Sequence, residues 1–139
     1  MIGIFFLNFM QRLIRHIPPY LPTAMVLAAI LYLSLAPDPM PDEIPLLLFP
    51  GADKIIHFIM YCALTGTFCF DYYRRGLLNR ELQTLATALV VSIIIGGVIE
   101  LLQGYMGIGR SNDWWDFAAN TAGCLTGVII GKYYIKKLL

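Results

Sequence analysis

The sequence contains little charge for its length. Lys, Arg, Asp and Glu together make up 14% of the 139 residues, whereas hydrophobic residues make up 58% and the mean hydropathy is +0.69. Soluble domains carry about 25% charged residues, and small soluble domains bury the smallest share of their surface. A soluble domain this short could not bury so much apolar surface, so we expect an integral membrane protein surrounded by membrane lipids.

Positive charge is scattered. Ten basic residues stand against nine acidic ones, and the formal net charge is +1. The basic residues lie at segment ends rather than on one clustered face, which a nucleic-acid-binding surface would need. We therefore expect no nucleic-acid partner.

Cysteine is also scarce. Cys62, Cys69 and Cys124 lie inside apolar runs, without C-x-x-C spacing and without histidines at zinc-ligand intervals. This argues against a disulfide framework or a zinc site, and we interpret the three residues as small apolar side chains. We predict that the protein holds no metal and needs no cofactor.

Four apolar runs are present, at residues 21–36, 55–73, 82–103 and 117–135. A membrane-spanning helix takes about 20 mostly apolar residues, with about 17 as the lower limit. The runs predict an all-α membrane protein, a bundle of four transmembrane helices that forms one domain over residues 18–137. The first run is marginal in length and the third is the most secure.

The first seventeen residues differ from these runs. Their polar residues share one helix face at the spacing i, i+3, i+4, i+7, i+8, and apolar residues cover the rest. Those polar residues are Asn8, Gln11, Arg12, Arg15 and His16. We predict an amphipathic helix at residues 1–17 that lies in the membrane interface. A signal peptide is the alternative, but its positive charge would precede the apolar stretch, and no A-x-A-like cleavage site is present.

The basic residues predict the orientation. Eight of them lie before the first run, between the second and third runs, or at the end of the fourth, whereas Lys54 and Arg110 lie on the other side. The eight are Arg12, Arg15, Arg74, Arg75, Arg80, Lys132, Lys136 and Lys137. Because positive residues are retained in the cytoplasm, both termini are predicted to be cytoplasmic and the loops at 37–53 and 104–116 to face outward.

Polar residues recur at the predicted outer ends of the last three helices. Their spacing of three or four residues places them on shared helix faces. An ionisable group inside a membrane helix costs at least about 2.5 kcal/mol, so these side chains should turn inward and find partners. The sequence therefore predicts an outward-facing polar pocket. Its predicted lining is Asp53, His57, Glu100, Gln103, Arg110, Asp116 and Asn120.

The segments that carry these residues resemble the VanZ-like family. The motifs are Asp53-Lys54-x-x-His57-Phe58-x-x-Tyr61, Glu100-Leu101-Leu102-Gln103 and Arg110-x-x-Asp113-x-x-Asp116-x-x-x-Asn120-x-x-Gly123-x-x-x-Gly127. The resemblance covers about residues 21–131 and leaves the amphipathic start outside it. It implies a multi-pass protein of the bacterial inner membrane and cell envelope. The family is named after an accessory glycopeptide-resistance protein that confers low-level teicoplanin resistance, and most of its members have no settled role.

Our first hypothesis is a binding site for the headgroup of a lipid or of a lipid-linked cell-wall precursor. Lys54 and Arg110 would bind phosphate, which a guanidinium can do through two hydrogen bonds. The carboxylates and the amide would accept hydrogen bonds from hydroxyls or amines. The predicted ligand-binding set is Asp53, Lys54, His57, Glu100, Gln103, Arg110, Asp113, Asp116 and Asn120.

Several alternatives stay open. The protein could be an intramembrane enzyme for a lipid-linked substrate, with His57 as general base and Glu100 or Asp53 orienting it. In a metal-dependent variant, the ligands would be His57, Asp53, Glu100 and Asp116. The polar residues could instead only brace the bundle. A proton path is disfavoured because the cytoplasmic halves of the helices offer only Asp71.

Small residues recur every four positions on the fourth helix, at Ala119, Gly123, Gly127 and Gly131. Such a stripe lets two helix backbones approach closely. Because one chain offers three other helices to contact, the stripe favours packing within the bundle over dimerisation.

Overall fold

The computed structural model describes residues 9, 12–14, 16–36, 49–76, 79–107 and 113–139. Four helices hold most of these residues: α1 (Leu21–Leu35), α2 (Ala52–Tyr73), α3 (Glu81–Met106) and α4 (Trp114–Ile130). The chain continues from α4 through a π-helical turn, Gly131–Ile135, into a last α-helical turn, Lys136–Leu138. The described residues contain no strand, so the prediction of an all-α fold is confirmed.

α2 and α3 are long and apolar enough to cross a membrane. α1 is apolar but has 15 residues, and α4 has 17 before the π-helical turn. α3 presents large apolar side chains on its outer surface, where Ile94 and Leu101 are 58% and 63% exposed. In a soluble protein such a surface would be covered, whereas hydrocarbon accommodates it. Four spans and their orientation remain predictions.

Successive helices run antiparallel. At one end of the bundle Thr23 of α1 donates to Asp71 of α2, and at the other end Gln103 of α3 donates to the carbonyl of Ser34 at 2.8 Å. α4 runs parallel to α2, because Asn120 contacts His57 near the start of both helices. We call the end that holds Asp71 the basic end, and the end that holds His57 the site end.

The glycines of α4 pack against α2, and these two helices form the largest interface in the bundle. A Cβ atom on Gly123 would overlap the carbonyl oxygen of Phe58, and one on Gly127 would overlap the hydroxyl of Thr65. Thr65 also donates across the interface to the carbonyl of Cys124 at 3.0 Å. The small-residue stripe therefore packs within the bundle, as its spacing predicts.

The basic end is held by a buried carboxylate. Asp71 is fully buried and accepts hydrogen bonds from the backbone N–H (3.2 Å) and the hydroxyl (2.6 Å) of Thr23 and from Nε of Arg74 (2.8 Å). The other guanidinium nitrogens of Arg74 donate to the carbonyls of Ile14, Ile17 and Pro18. Arg74 thus joins α2 to the segment before α1, a contact that sequence reasoning did not foresee.

The predicted amphipathic helix at residues 1–17 lies largely outside the described residues. Of that segment, residues 9, 12–14 and 16 are described and helical. The prediction that it lies in the membrane interface stays a prediction.

Candidate functional site

The site end is assembled from the first two turns of α2, the last two turns of α3 and the first two turns of α4. α4 is capped by Asp113, whose side chain accepts a hydrogen bond from the backbone N–H of Trp115 at 2.8 Å; aspartate is among the preferred residues for this position. α2 follows Gly51, which has a φ of 88°, a conformation that favours glycine. From these two starts, Lys54 contacts Asp113 and Asp116 of α4, and His57 contacts Asn120 of α4 and Glu100 of α3.

His57, Asn120 and Glu100 form a buried hydrogen-bonded chain across three helices. His57 Nδ1 lies 2.9 Å from Asn120 Oδ1, and Asn120 Nδ2 donates to Glu100 Oε1 at 3.2 Å. His57 Nδ1 is also 3.5 Å from Glu100 Oε1. The three residues are 7%, 0% and 3% exposed, respectively. Burial and fixed partners hold all three side chains in one arrangement.

The chain of hydrogen bonds assigns the proton on His57. An ionised Glu100 can only accept, so Asn120 must present its amide nitrogen to Glu100 and its oxygen to His57. Nδ1 of His57 therefore donates its proton to Asn120. In a neutral ring Nε2 is then the unprotonated nitrogen, which can act as a base, an acceptor or a metal ligand.

The second oxygen of Glu100 has no hydrogen-bond partner within the described part of the chain, although it is buried. The hydroxyls of Ser34 and Tyr61 are buried and unpaired in the same way. Buried polar groups in proteins are nearly always hydrogen-bonded, and leaving one unpaired costs about 1–3 kcal/mol. Among the described residues, Oε2 of Glu100 thus keeps unused capacity to accept a hydrogen bond.

Lys54 lies among three carboxylates beside this chain. Its ammonium nitrogen is 3.0 Å from Asp53 Oδ2, 3.0 Å from Asp113 Oδ2 and 3.3 Å from Asp116 Oδ1. The backbone N–H of Trp115, together with Lys54, holds the pKa of Asp113 below its usual value. Asp113 therefore stays ionised at neutral pH, and its contacts weaken only as the pH falls through that lowered pKa.

The described part of the site carries more negative than positive charge. Four carboxylates stand against one ammonium group, since Asp53, Glu100, Asp113 and Asp116 are all within the site end and Lys54 is their cation. Lys54 is already shared among three of them. Within the described residues of the site end, the acidic groups are therefore not fully balanced by Lys54.

The chain matches the family model described as VanZ/LLP1 over residues 2–136. It belongs to the VanZ/LLP1 family. The match begins at residue 2. It therefore includes the N-terminal segment, whereas the motifs indicated a resemblance over about residues 21–131 only. No curated protein and no solved structure matches the chain. Membership of the VanZ/LLP1 family, together with two helices able to span a bilayer, identifies a membrane protein.

In this VanZ/LLP1 chain, most of the predicted site residues lie together. They form two neighbouring groups, one in which Lys54 pairs with three carboxylates and one in which His57, Asn120 and Glu100 are hydrogen-bonded. Ligand atoms of Asp116, from the first group, lie within 4.8 Å of those of His57 and Glu100. The residues brought together are Asp53, Lys54, His57, Glu100, Asp113, Asp116 and Asn120. Gln103 is buried at the same end, but its side chain donates to the Ser34 carbonyl of α1. Arg110 lies outside the described residues.

Two buried hydroxyls were missed as candidates. Tyr61 follows His57 by four residues and is part of the α2 motif of the VanZ/LLP1 resemblance, so its spacing was an available signal. Ser34 interrupts an apolar run at the end of α1. Both residues are at most 1% exposed. Both hydroxyls retain hydrogen-bonding capacity that a ligand could use.

Two groups of side chains could hold a metal ion. Ligand atoms of His57, Glu100 and Asp116 lie within 4.8 Å of one another, and so do those of Asp53, Asp113 and Asp116. One imidazole with carboxylates suits a hard or borderline divalent ion. His57 and Asp116 are already engaged, by Asn120 and Lys54 respectively. The expectation that the VanZ/LLP1 site works without a metal stays a prediction.

Proposed function

We propose that this VanZ/LLP1 protein binds the headgroup of a membrane lipid, or of a lipid-linked cell-wall precursor, in the polar pocket at the site end. The observation that carries the proposal is Glu100. Its carboxylate is buried, one oxygen accepts from Asn120, and the other has no partner in the described part of the chain. An unpaired charge in an apolar bundle is costly. A ligand that donates a hydrogen bond to Glu100 therefore gains favourable binding free energy.

The charge balance specifies the chemistry of that headgroup. A phosphate group would be repelled by the four carboxylates of the site end. Lys54 is the cation described there, and it already pairs with three of these carboxylates. A headgroup with an ammonium group and its N–H donors would instead pair with Glu100 and relieve the excess negative charge. Among the described residues, the charge balance therefore favours a headgroup that carries an amine.

The proposed orientation turns the pocket away from the cytoplasm. Seven described basic residues lie at the basic end and Lys54 lies at the site end, a segregation that supports a cytoplasmic basic end. Those seven are Arg12, Arg74, Arg75, Arg80, Lys132, Lys136 and Lys137. Tyr105, Trp114 and Trp115 are 91%, 76% and 71% exposed at the site end, as suits aromatic residues at a membrane–water interface. We propose four spans in the bacterial inner membrane, with both termini inside.

The location of the pocket suggests a link to glycopeptide resistance. Cell-wall precursors are carried on lipids to the outer face of the inner membrane, where the proposed pocket opens. A protein that binds such an intermediate could change how much of it is accessible to an antibiotic. This part of the proposal rests on the family resemblance.

A second candidate function is catalysis on a lipid-linked substrate. The fixed tautomer of His57 favours it, because Nε2 is left unprotonated while Asn120 and Glu100 orient the ring. Cys62, Cys69 and Cys124 are free thiols within helices α2 and α4, away from the polar cluster. A carboxylate or water is therefore the nucleophile that such a reaction would use.

Mass spectrometry of lipids that co-purify with the protein tests the proposed function. We expect phosphatidylethanolamine or another amine-bearing lipid to be enriched over its share in the membrane extract. A lipid composition equal to that of the extract would contradict headgroup recognition. A lipid recovered in a hydrolysed or transferred form with wild type, but intact with His57→Gln, would favour the enzyme.

A further inference from the structure

An apolar groove of about 290 Å³ runs between α3 and α4 beside the polar residues of the site end. Ile94, Val98 and Leu101 of α3 form one wall, and Trp114 and Phe117 of α4 form the other. Glu100 also borders the groove and is the charged residue in its described lining. The groove and the polar pocket therefore share a side chain.

Two successive glycines separate the groove from the polar pocket. A Cβ atom on Gly97 would lie 3.3 Å from the ring of Phe117, so the ring edge rests directly on the α3 backbone. A Cβ atom on Gly96 would lie 3.3 Å from Asn120 Nδ2, so the next residue of α3 packs against the polar residues of the site end. Trp114 packs edge-to-face on Phe117, with ring centroids 6.3 Å apart, and completes the wall.

We propose that this groove holds a hydrocarbon chain of the same lipid whose headgroup occupies the polar pocket. The inference rests on the proposed function, because the headgroup fixes where the chain begins. The α3 lining extends from Ile93 to Leu101, about 12 Å along the helix axis. It begins at the level of Glu100 and runs towards the middle of the bundle, which is the direction that a lipid chain takes from its headgroup.

The lining explains why a chain, and not a second headgroup, fits the groove. Apart from Glu100 at its upper edge, its described walls are aliphatic and aromatic carbon with little hydrogen-bonding capacity. A chain tethered to a bound headgroup also has a high effective concentration at the groove. A lipid that occupies both sites is therefore held more firmly than lipids that merely surround the protein.

Photo-crosslinking tests this inference. The probe is phosphatidylethanolamine with a diazirine in one acyl chain, mixed into phosphatidylcholine vesicles that contain the protein. The matched control probe is phosphatidylcholine with the same labelled chain, because its quaternary ammonium group has no N–H to donate. We expect the ethanolamine probe to label peptides that contain Ile94, Val98 or Phe117, and the choline probe to label exposed apolar residues of all helices.

Variants that fill the groove provide the second measurement. Ile94→Trp and Val98→Trp should each lower ethanolamine-probe labelling of the Phe117 peptide by roughly tenfold, since the indole takes the space of the chain and removes its packing contacts with the groove. Val90→Trp is the matched control: it is on α3 and similarly exposed, but does not line the groove. Thermal unfolding in detergent checks that each variant is folded. Two filling variants are used so that the measurement is still possible if one of them misfolds.

The outcomes separate the two proposals. Unchanged labelling in both filling variants, with retained preference for ethanolamine over choline, would overturn the groove while leaving headgroup binding intact. Equal labelling by the two probes would overturn headgroup recognition and, with it, a tethered chain.

Discussion

Arg74 and Asp71 form a buried ion pair at the basic end, with the guanidinium NH2 2.7 Å from Asp71 Oδ1. Both oxygens of Asp71 are engaged, because Oδ2 accepts from Thr23. Glu100 at the site end differs, since its Oε2 has no described partner. A cluster that only braces a bundle is expected to satisfy its own polar groups, as the basic end does. The contrast supports bracing at the basic end and ligand binding at the site end.

Replacing Asp71 by Asn should destabilise the bundle by roughly 3–5 kcal/mol. The change keeps the side-chain shape but leaves the guanidinium of Arg74, 6% exposed, without its carboxylate. Thermal or denaturant unfolding in detergent measures the effect. Arg75→Ala is the control, because Arg75 is exposed and its described contact is a ring face of Tyr20 at 5.2 Å. Unfolding of Asp71→Asn at the wild-type temperature would show that the pair contributes nothing.

Replacing Gly127 by Leu should cost about 3 kcal/mol or more, because a branched side chain there would force α2 and α4 apart. Gly123→Leu should behave in the same way, since its missing Cβ faces the Phe58 carbonyl. Gly66→Leu, on α2, is the matched control, because a Cβ at that position meets nothing within 4 Å. Thermal stability in detergent measures all three. Equal stability of Gly127→Leu and Gly66→Leu would mean that the stripe faces lipid.

Hydropathy predicted where the helices lie but not where they begin. The second and fourth apolar runs begin at residues 55 and 117, whereas α2 begins at Ala52 and α4 at Trp114. The spacing of the polar residues, and not hydropathy, placed Asp53 and Asp116 on these helices. The added turns carry Asp53, Lys54 and Asp116, whose polarity removed them from an apolar run. Contacts across the site end keep these residues helical, and a window of hydropathy contains no information about such contacts.

Spacing predicted shared faces, but it did not predict partners. Glu100 and Gln103 are three residues apart and both are buried, yet Gln103 donates to α1 while Glu100 accepts from α4. The rotation of α3 within the bundle decides this difference. Asp71 and Arg74 also share a helix face at the spacing i, i+3. That spacing is typical of an ion pair, but Arg74 was used only to predict the orientation. The π-helical turn at Gly131–Ile135, where Gly131 packs on Cys69, had no signal in the apolar pattern.

The orientation predicts the activity of alkaline phosphatase fusions. A fusion after Gly76, at the basic end, should be inactive because the enzyme needs the periplasm, and a fusion after Gly107, at the site end, should be active. Enzyme activity normalised to fusion-protein abundance is the measurement. Activity of the Gly76 fusion would reverse the predicted orientation, because both termini would then lie outside.

Glu100→Gln is the sharpest probe of the site. The amide can still accept from Asn120 through its oxygen, so the buried network keeps its shape while the charge disappears. We expect the variant to remain folded, with a melting temperature at or above that of wild type, because a buried charge without full pairing has been removed. Its occupancy by phosphatidylethanolamine, measured by native mass spectrometry at fixed lipid concentration, should fall roughly ten- to a hundredfold, as expected for loss of a hydrogen bond to a charged group.

The control for Glu100→Gln is the same change on the same helix at the opposite end. Glu81 pairs with Lys136 and accepts from Tyr73 at the basic end, so Glu81→Gln should leave lipid occupancy unchanged. If Glu100→Gln instead unfolds the protein, the carboxylate is needed for folding. The network would then act as bracing for the bundle. If it keeps the lipid bound but stops its conversion, the carboxylate acts in catalysis. Loss of lipid from a stable protein, with Glu81→Gln unaffected, is the result that headgroup binding requires.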